Sequence, residues 1–262
     1  MKIVAMTVCT VDGYPDQGVE CVGGNSLNFA TQCRRSGAEH VSLVGGVGMD
    51  DNGTVVLDHL QGEGINVSHV HRLDGATATN KLYVTEDGER FQVPDSWRGG
   101  VYETFRLSDD DWDFVNQHDV VATTCVDPNF AQALERVDAG RGFVVDFMHI
   151  RDYDTMVTNA GRINIIFMNG DREIVARVKP IAEQGQALVV VTMDAAGSVA
   201  LRGGETFSQP ALPVERVVDT TGCGDAYQAA FTVSWFRRGD VQQAMAAGAE
   251  AASHVLTHFG GT

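Results

Sequence analysis

At 262 residues, 44% of them hydrophobic, the chain can bury a full core as one α/β domain with a small appendage, but a second complete domain would not fit. Its formal charge of −16, from 35 acidic against 19 basic side chains, argues against nucleic acid as a partner, because no local basic stripe offsets it. No apolar run reaches the about 18–20 residues of a membrane span, and the five cysteines form no Cys-x-x-Cys pair, so neither a membrane partner, a disulfide framework nor a cysteine zinc site is expected.

The first residues, Met1-Lys2-Ile3-Val4-Ala5-Met6, run directly into a predicted strand over 2–8, which argues for a cytoplasmic chain without a cleaved signal. The pattern continues with a helix over 25–36, a strand over 41–44 and a helix over 51–61. Further on it predicts a strand over 120–123, a helix over 130–137, and strands over 143–147 and 163–168. A helix over 171–182, a strand over 188–193 and closing helices over 225–237 and 241–257 complete it. Strands separated by helices in this rhythm pair in parallel through right-handed crossovers, giving a three-layer α/β/α domain with a mostly parallel central sheet.

Two stretches break the rhythm. One is 10–22; in the other, 77–85 and 90–93 flank Glu86-Asp87-Gly88-Glu89 and predict a hairpin. Extra strands must cover something or pair with a second chain, because a bare sheet edge is an association hazard. A small β lid drawn from about 10–22 and 76–98 is the expectation, within a single domain over 1–262.

The most informative segment is Val218-Asp219-Thr220-Thr221-Gly222-Cys223-Gly224-Asp225-Ala226-Tyr227, which leads into a small-residue helix. Gly222 and Gly224 permit a tight turn that exposes backbone N–H groups at a helix N-terminus, where unpaired donors and the macrodipole favour an anion. Asp225 in the first turn is placed to take a proton from a hydroxyl attacking a phosphoryl group there, while the amides of Gly222, Cys223 and Gly224 stabilise the developing charge. Two further segments are Gly23-Gly24-Asn25-Ser26-Leu27-Asn28-Phe29-Ala30 and Gly45-Gly46-Val47-Gly48-Met49-Asp50-Asp51-Asn52-Gly53.

In order and spacing, these three segments resemble the signatures of the PfkB/ribokinase family of carbohydrate kinases. The resemblance implies a ribokinase-like fold, Mg-ATP as phosphoryl donor, and Asp225 as the base behind an anion hole of Gly222, Cys223 and Gly224. It also implies sugar contacts from Asp12, Gly23, Gly24 and Asn28, with Gly45–Gly53 as a turn after the second strand. Nucleotide contacts would come from Thr192, Gly197, Thr221, Gly222, Gly224 and Gly248, and a homodimer would form through the lids.

Val11-Asp12-Gly13-Tyr14-Pro15, the run Ile65-Asn66-Val67-Ser68-His69-Val70-His71, the short chain and the Phe259-Gly260-Gly261 ending look like the fructoselysine 6-kinase branch, whose members phosphorylate the C6 hydroxyl of fructosamines. Fructokinase or another small sugar or nucleoside kinase is the alternative.

The chain departs from the family pattern in places. Asn169-Gly170-Asp171-Arg172-Glu173 puts the acid of the usual Asn-x-x-Glu one residue late, leaving Glu173 for water-mediated magnesium and Asp171 as its fallback. Asp194 stands where a glycine is common, and Thr7-Val8-Cys9-Thr10 lacks the usual Gly-Glu or Gly-Asp.

His69 and His71 alternate on a strand and are expected at the surface or in packing rather than on a metal. Trp97, Tyr102 and Phe105 are expected in the core or at a dimer contact. A dinucleotide-binding oxidoreductase is excluded because no Gly-x-Gly-x-x-Gly follows the first strand; a non-catalytic sensor of the same fold is the second rival.

Overall fold

The computed structural model describes residues 1–262. Strand β1 (Lys2–Thr7) is followed by β2 (Thr10–Tyr14), β3 (Val19–Gly23), α1 (Asn25–Arg35), β4 (His40–Gly48), α2 (Asp51–Gly62) and β5 (Asn66–Leu73). The hairpin β6 (Ala78–Val84) and β7 (Arg90–Gln92) comes next, then α3 (Gly100–Thr104) and α4 (Asp109–Val115). Alternation resumes through β8 (Val120–Thr124), α5 (Phe130–Arg136), β9 (Gly142–Asp146), α6 (Tyr153–Asn159), β10 (Ile165–Asn169), α7 (Arg172–Gln184) and β11 (Leu188–Thr192). The strands β12 (Ser198–Arg202) and β13 (Glu205–Gln209) and the helices α8 (Cys223–Arg238) and α9 (Val241–Val255) close the chain.

The large sheet has the order β13-β12-β11-β10-β9-β8-β1-β4-β5, parallel from β11 to β5 with β12 and β13 antiparallel at one edge. Its strands are apolar on both faces, as a sheet covered by helices on each side requires. Ile3, Ala5, Phe167 and Val190 pack under α1, α2, α8 and α9 through Leu27, Leu60, Phe231 and Met245. Val4, Met6, Ile166 and Val189 pack the other way, against Trp112, Ala133, Met156 and Val178 of α4 to α7. Burying each such aliphatic or aromatic side chain is worth about 1.5–3 kcal/mol, so two continuous cores hold the three layers together.

Two local expectations are corrected. The glycines of Gly45-Gly46-Val47-Gly48 do not form a turn; they lie inside β4, which runs on to Gly48. They allow close backbone approach, since a Cβ on Gly45 would meet the Thr7 carbonyl oxygen at 2.6 Å and one on Gly48 the Gly75 oxygen at 2.4 Å. The hairpin β12–β13 was not anticipated, although Gly203 and Gly204, at φ of 54° and 87°, supply the positive dihedrals that a two-residue hairpin turn demands.

A second sheet, in the order β3-β2-β6-β7, forms from the two stretches that interrupt the rhythm. The parallel register of β2 on β6 sets Thr10 beside Ala78 and Asp12 beside Asn80, so alternate residues of both strands share one face. Asp50 ties this sheet to the body: it caps α2 through the Gly53 N–H (2.8 Å) and also accepts from the backbone (2.8 Å) and hydroxyl (2.6 Å) of Thr77, just before β6. Gly88, at φ 88°, packs on Val217, and Thr220 bonds both the Gly88 carbonyl (3.0 Å) and the Arg90 N–H (3.0 Å). The hairpin is thereby seated on the segment that leads into α8.

Candidate active site

The chain runs from β1 to β4 and β5 on one side and returns through β8 on the other, so the large sheet reverses its winding between β1 and β8. Ligands of open α/β sheets sit beyond the strand carboxyl ends at such a point. Here it opens into a cavity of about 440 Å³, walled by Val8 and Thr124 from those strand ends and by Thr10, Asp12, Asn80 and Leu82 from the small sheet.

Asp225 sits at the floor of this cavity in the first turn of α8, 7% exposed. Gly222, at φ 73°, begins the helix in the left-handed region, and a Cβ there would lie 2.2 Å from the Gly261 Cα. Gly224 faces open space. The N–H groups of Gly222, Gly224 and Asp225 find no backbone acceptor, whereas that of Cys223 reaches the Thr220 oxygen at 3.4 Å. These N–H groups, without backbone acceptors, lie at the positive end of a 16-residue helix, a position that favours an anion. Burial pushes the Cys223 thiol up to about 12, so this residue offers no thiolate, and its N–H, turned to Thr220, is not the free donor expected of it.

The carboxylate of Asp225 is held from α1: Asn25 Nδ2 donates to Oδ1 at 2.9 Å and Asn28 Nδ2 to Oδ2 at 2.8 Å. Gly24, at φ 93°, turns the chain sharply past the Val8 carbonyl into α1 and so points both asparagines, three residues apart, the same way. Asn28 therefore spends its amide N–H on the carboxylate, and its buried Oδ1 has no partner within the protein.

Burial pushes the Asp225 carboxyl up to about 7; Asn28 opposes the shift and the neighbouring Asp146 adds to it. Asp146 is itself 6% exposed and pushed up to about 6 by burial. A void of about 20 Å³, large enough for one water, touches both carboxylates together with Asn25, Thr123 and Gln228. Asp146→Asn removes a negative charge beside Asp225, so an acid limb of the activity profile that reports Asp225 is expected to move to lower pH, as measured by kcat/KM against pH.

Asp12 and Gly23 act as a pair. A Cβ on Gly23 would meet the Asp12 Oδ2 at 2.1 Å, so the glycine makes room for a carboxylate that also accepts from the Thr10 hydroxyl at 3.0 Å. Burial raises the Asp12 carboxyl above its usual range. Thr221 reaches the cavity, but its hydroxyl is committed: it donates to Asp219 Oδ1 (2.7 Å) and lies 3.0 Å from the Tyr14 hydroxyl, whose proton goes to Asp219. Asp219 is fully buried and also accepts from Tyr14 (2.7 Å) and the N–H groups of Thr221 (2.8 Å) and Gly260 (2.9 Å), anchoring the glycine turn to β2 and to the chain end.

The remaining expected contacts lie outside the cavity. Thr192 ends β11, and Gly197, at φ 86°, presses on the Gln209 carbonyl. Gly248 makes room for the Tyr227 ring between α8 and α9, a packing role that accounts for it without a nucleotide. Asp194 has a φ of 48°, which explains why glycine suits this position and why Asp, which tolerates it, can replace glycine.

Asp171 is the N-cap of α7, its Oδ1 accepting from the N–H groups of Glu173 (2.9 Å) and Ile174 (3.0 Å). Glu173 is exposed in that first turn, with no capping role, which leaves its carboxylate free to reach magnesium through water. Tyr102 and Trp97 line the cavity edge-to-face at 6.2 Å, whereas Phe105 is core. Asn25, Asn80, Arg90 and Glu103 of the cavity, and Asp146 behind it, were not anticipated from the sequence.

The fold is ribokinase-like: it superposes on ribokinase from Arabidopsis thaliana, solved with ribose and ATP, with a TM-score of 0.82 at 22% identity over 99% of this chain and 93% of the other. The pfkB family carbohydrate kinase model matches residues 6–139 and 126–262, and the chain belongs to that family. It is 30% identical to the fructoselysine 6-kinase of Shigella flexneri over 254 residues, 95% of each chain. It is also 30% identical to an ATP-dependent ribose-1-phosphate kinase of Halopiger xanaduensis over 235 residues, 85% of this chain and 76% of the other. The protein is an ATP-dependent sugar kinase. No helix is long and apolar enough to cross a membrane.

Proposed function

We propose that this kinase transfers the γ-phosphate of ATP to the C6 hydroxyl of a fructosamine such as fructoselysine. The observation that carries the chemistry is the buried Asp225, gripped by Asn25 and Asn28 at the cavity floor beside the free N–H groups of Gly222 and Gly224. Asp225 takes the hydroxyl proton and the freed oxygen attacks the γ-phosphorus. The bond to the β–γ bridging oxygen breaks, ADP leaves, and the amides at the start of α8 hold the transferring group. Magnesium, reached through water from Glu173, would neutralise phosphate charge.

The substrate class is supported by the fructoselysine 6-kinase relative and by the charge of the cavity. Asp12, Glu103 and Asp225 face it against one basic side chain, Arg90. That balance suits a zwitterionic amino-acid adduct, its amine toward Asp12 or Glu103 and its carboxylate toward Arg90, better than a sugar already bearing a phosphate.

The test is ADP release with Mg-ATP on fructoselysine, other fructose-amino acids, fructose, ribose, ribose 1-phosphate, fructose 1-phosphate and adenosine. Fructosamines are expected to lead. Arg90→Ala should raise KM for them by about 10–100-fold, the worth of a charged hydrogen bond, while leaving fructose nearly unchanged. Preference for another sugar would keep the kinase and discard the fructosamine, and no turnover despite saturable ATP binding would favour a sensor.

A further inference from the structure

His69 and His71, two residues apart on the edge strand β5, project from one face of it, the face that α4 covers. There they meet Asp111, a residue forty positions beyond His71 and 2% exposed. His69 Nδ1 and His71 Nε2 both lie 2.8 Å from the same atom, Asp111 Oδ1. None of the three lines the catalytic cavity.

We infer that His69, His71 and Asp111 form a binding site for a borderline divalent transition metal, Zn²⁺ being the best match. The three donor atoms lie within 4.8 Å of one another. A tetrahedral zinc with ligands at about 2.0–2.1 Å needs them about 3.3 Å apart, so each nitrogen must draw back from Oδ1 by about half an ångström and the two ring nitrogens must close by up to about 1.5 Å, within reach of side-chain rotation at the exposed His71.

The carboxylate is already oriented for this by its other oxygen. Asp111 Oδ2 accepts from the N–H (2.9 Å) and hydroxyl (2.7 Å) of Ser108 in the capping box of α4, leaving Oδ1 turned to the histidines. The His69 ring is stacked on Phe114 at 3.9 Å and 15°, so packing as well as the carboxylate sets its direction. His71, with its side chain 41% exposed, provides the entry route and a place for water as a further ligand.

Two imidazoles and one carboxylate suit zinc, cobalt or nickel, whereas magnesium and calcium prefer oxygen donors throughout. No proton need leave on binding. Each neutral ring that donates to Asp111 moves its proton to its other nitrogen and offers the freed lone pair to the metal. The bound ion would clamp β5, an edge of the large sheet, to α4.

The experiment uses the full chain, stripped with a chelator, titrated with ZnCl₂ by calorimetry and melted with ZnCl₂ or MgCl₂. One zinc per chain is expected, with Tm raised by about 5 °C at zinc a hundredfold above Kd and no rise from the same magnesium. His71→Ala is expected to weaken zinc binding by about 10–100-fold and to abolish the Tm rise with kinase turnover retained. His69→Gln is a second variant, close to histidine in volume but without an imidazole lone pair for the metal. No zinc uptake by the unaltered chain, or unchanged affinity in both variants, would overturn the site and leave a hydrogen-bonded His-Asp-His clamp.

Discussion

Asp225→Asn is expected to lower turnover by about 10²–10⁴-fold while ATP and sugar still bind. The amide keeps the shape of the carboxylate: its oxygen can still accept from Asn25 Nδ2, and its NH2 can donate to Asn28 once that amide flips to present its unpartnered Oδ1, but it accepts no proton from the attacking hydroxyl. Steady-state kinetics with separate binding titrations distinguish the two effects. A fall in kcat with KM nearly unchanged is the signature of an interaction made only in the transition state.

The same substitution should stabilise the fold at alkaline pH. Burial raises the Asp225 carboxyl from 3.8 to about 7. Below the lower value both folded and unfolded states are protonated and nothing is lost. Between the two values the unfolded chain ionises first, so stability falls as pH rises, and above about 7 the full penalty is carried by the folded state. Removing the charge should therefore recover about 1–3 kcal/mol at pH 8, a figure set below the full shift because Asn loses charge-assisted bonds. Little change is expected at pH 4. Thermal melts of both proteins at the two pH values read this directly, and an equal effect at both would contradict it.

Gly222→Ala is expected to be the second most damaging change. At φ 73° an alanine is strained, and its Cβ would fall 2.2 Å from the Gly261 Cα. The turn must move, and with it the N–H groups of Gly222 and Gly224 and the start of α8. Losing one aligned donor in such a hole costs about 10²–10³-fold in kcat. Gly224→Ala is the contrast: its Cβ meets nothing within 4 Å, so the protein should fold normally. Parallel measurement of Tm and kcat on the pair separates fold from site; Gly222→Ala with normal Tm and kcat would remove the glycine turn from the mechanism.

What could be read from the sequence was what is encoded over a few neighbouring residues. Asp219 to Asp225 hold the glycine turn, its buried anchor and the carboxylate of Asp225 within one short segment, so the resemblance of ten neighbouring residues to a family signature was enough to single them out. The doubly buried strands were equally plain, because Leu188–Thr192 or Ile165–Asn169 can be little else than strands covered on both faces.

Contacts that close over long separations left no local trace. Asn25 and Asn28 meet Asp225 across 200 and 197 residues, and Arg90 enters the cavity from the returning strand of the hairpin. Asp111 turns His69 and His71 from an unremarkable surface pair into a cluster of donors. The glycines of Gly45–Gly48 misled for a related reason: a glycine that permits close backbone approach inside a strand looks, in sequence, like one that permits a turn. Gly203-Gly204 carries a hairpin signal, paired glycines between two apolar runs, that is legible in the sequence.

The most direct test of the account is the pH dependence of kcat/KM for the unaltered kinase between pH 5 and 9, at saturating Mg-ATP and with fructoselysine as acceptor. If the buried, asparagine-held Asp225 is the base, the rate rises with unit slope through an apparent pKa of about 7 and levels above it. A profile already flat from pH 5 upward would show that the group governing the reaction ionises like an ordinary exposed carboxylate, and would contradict the assignment.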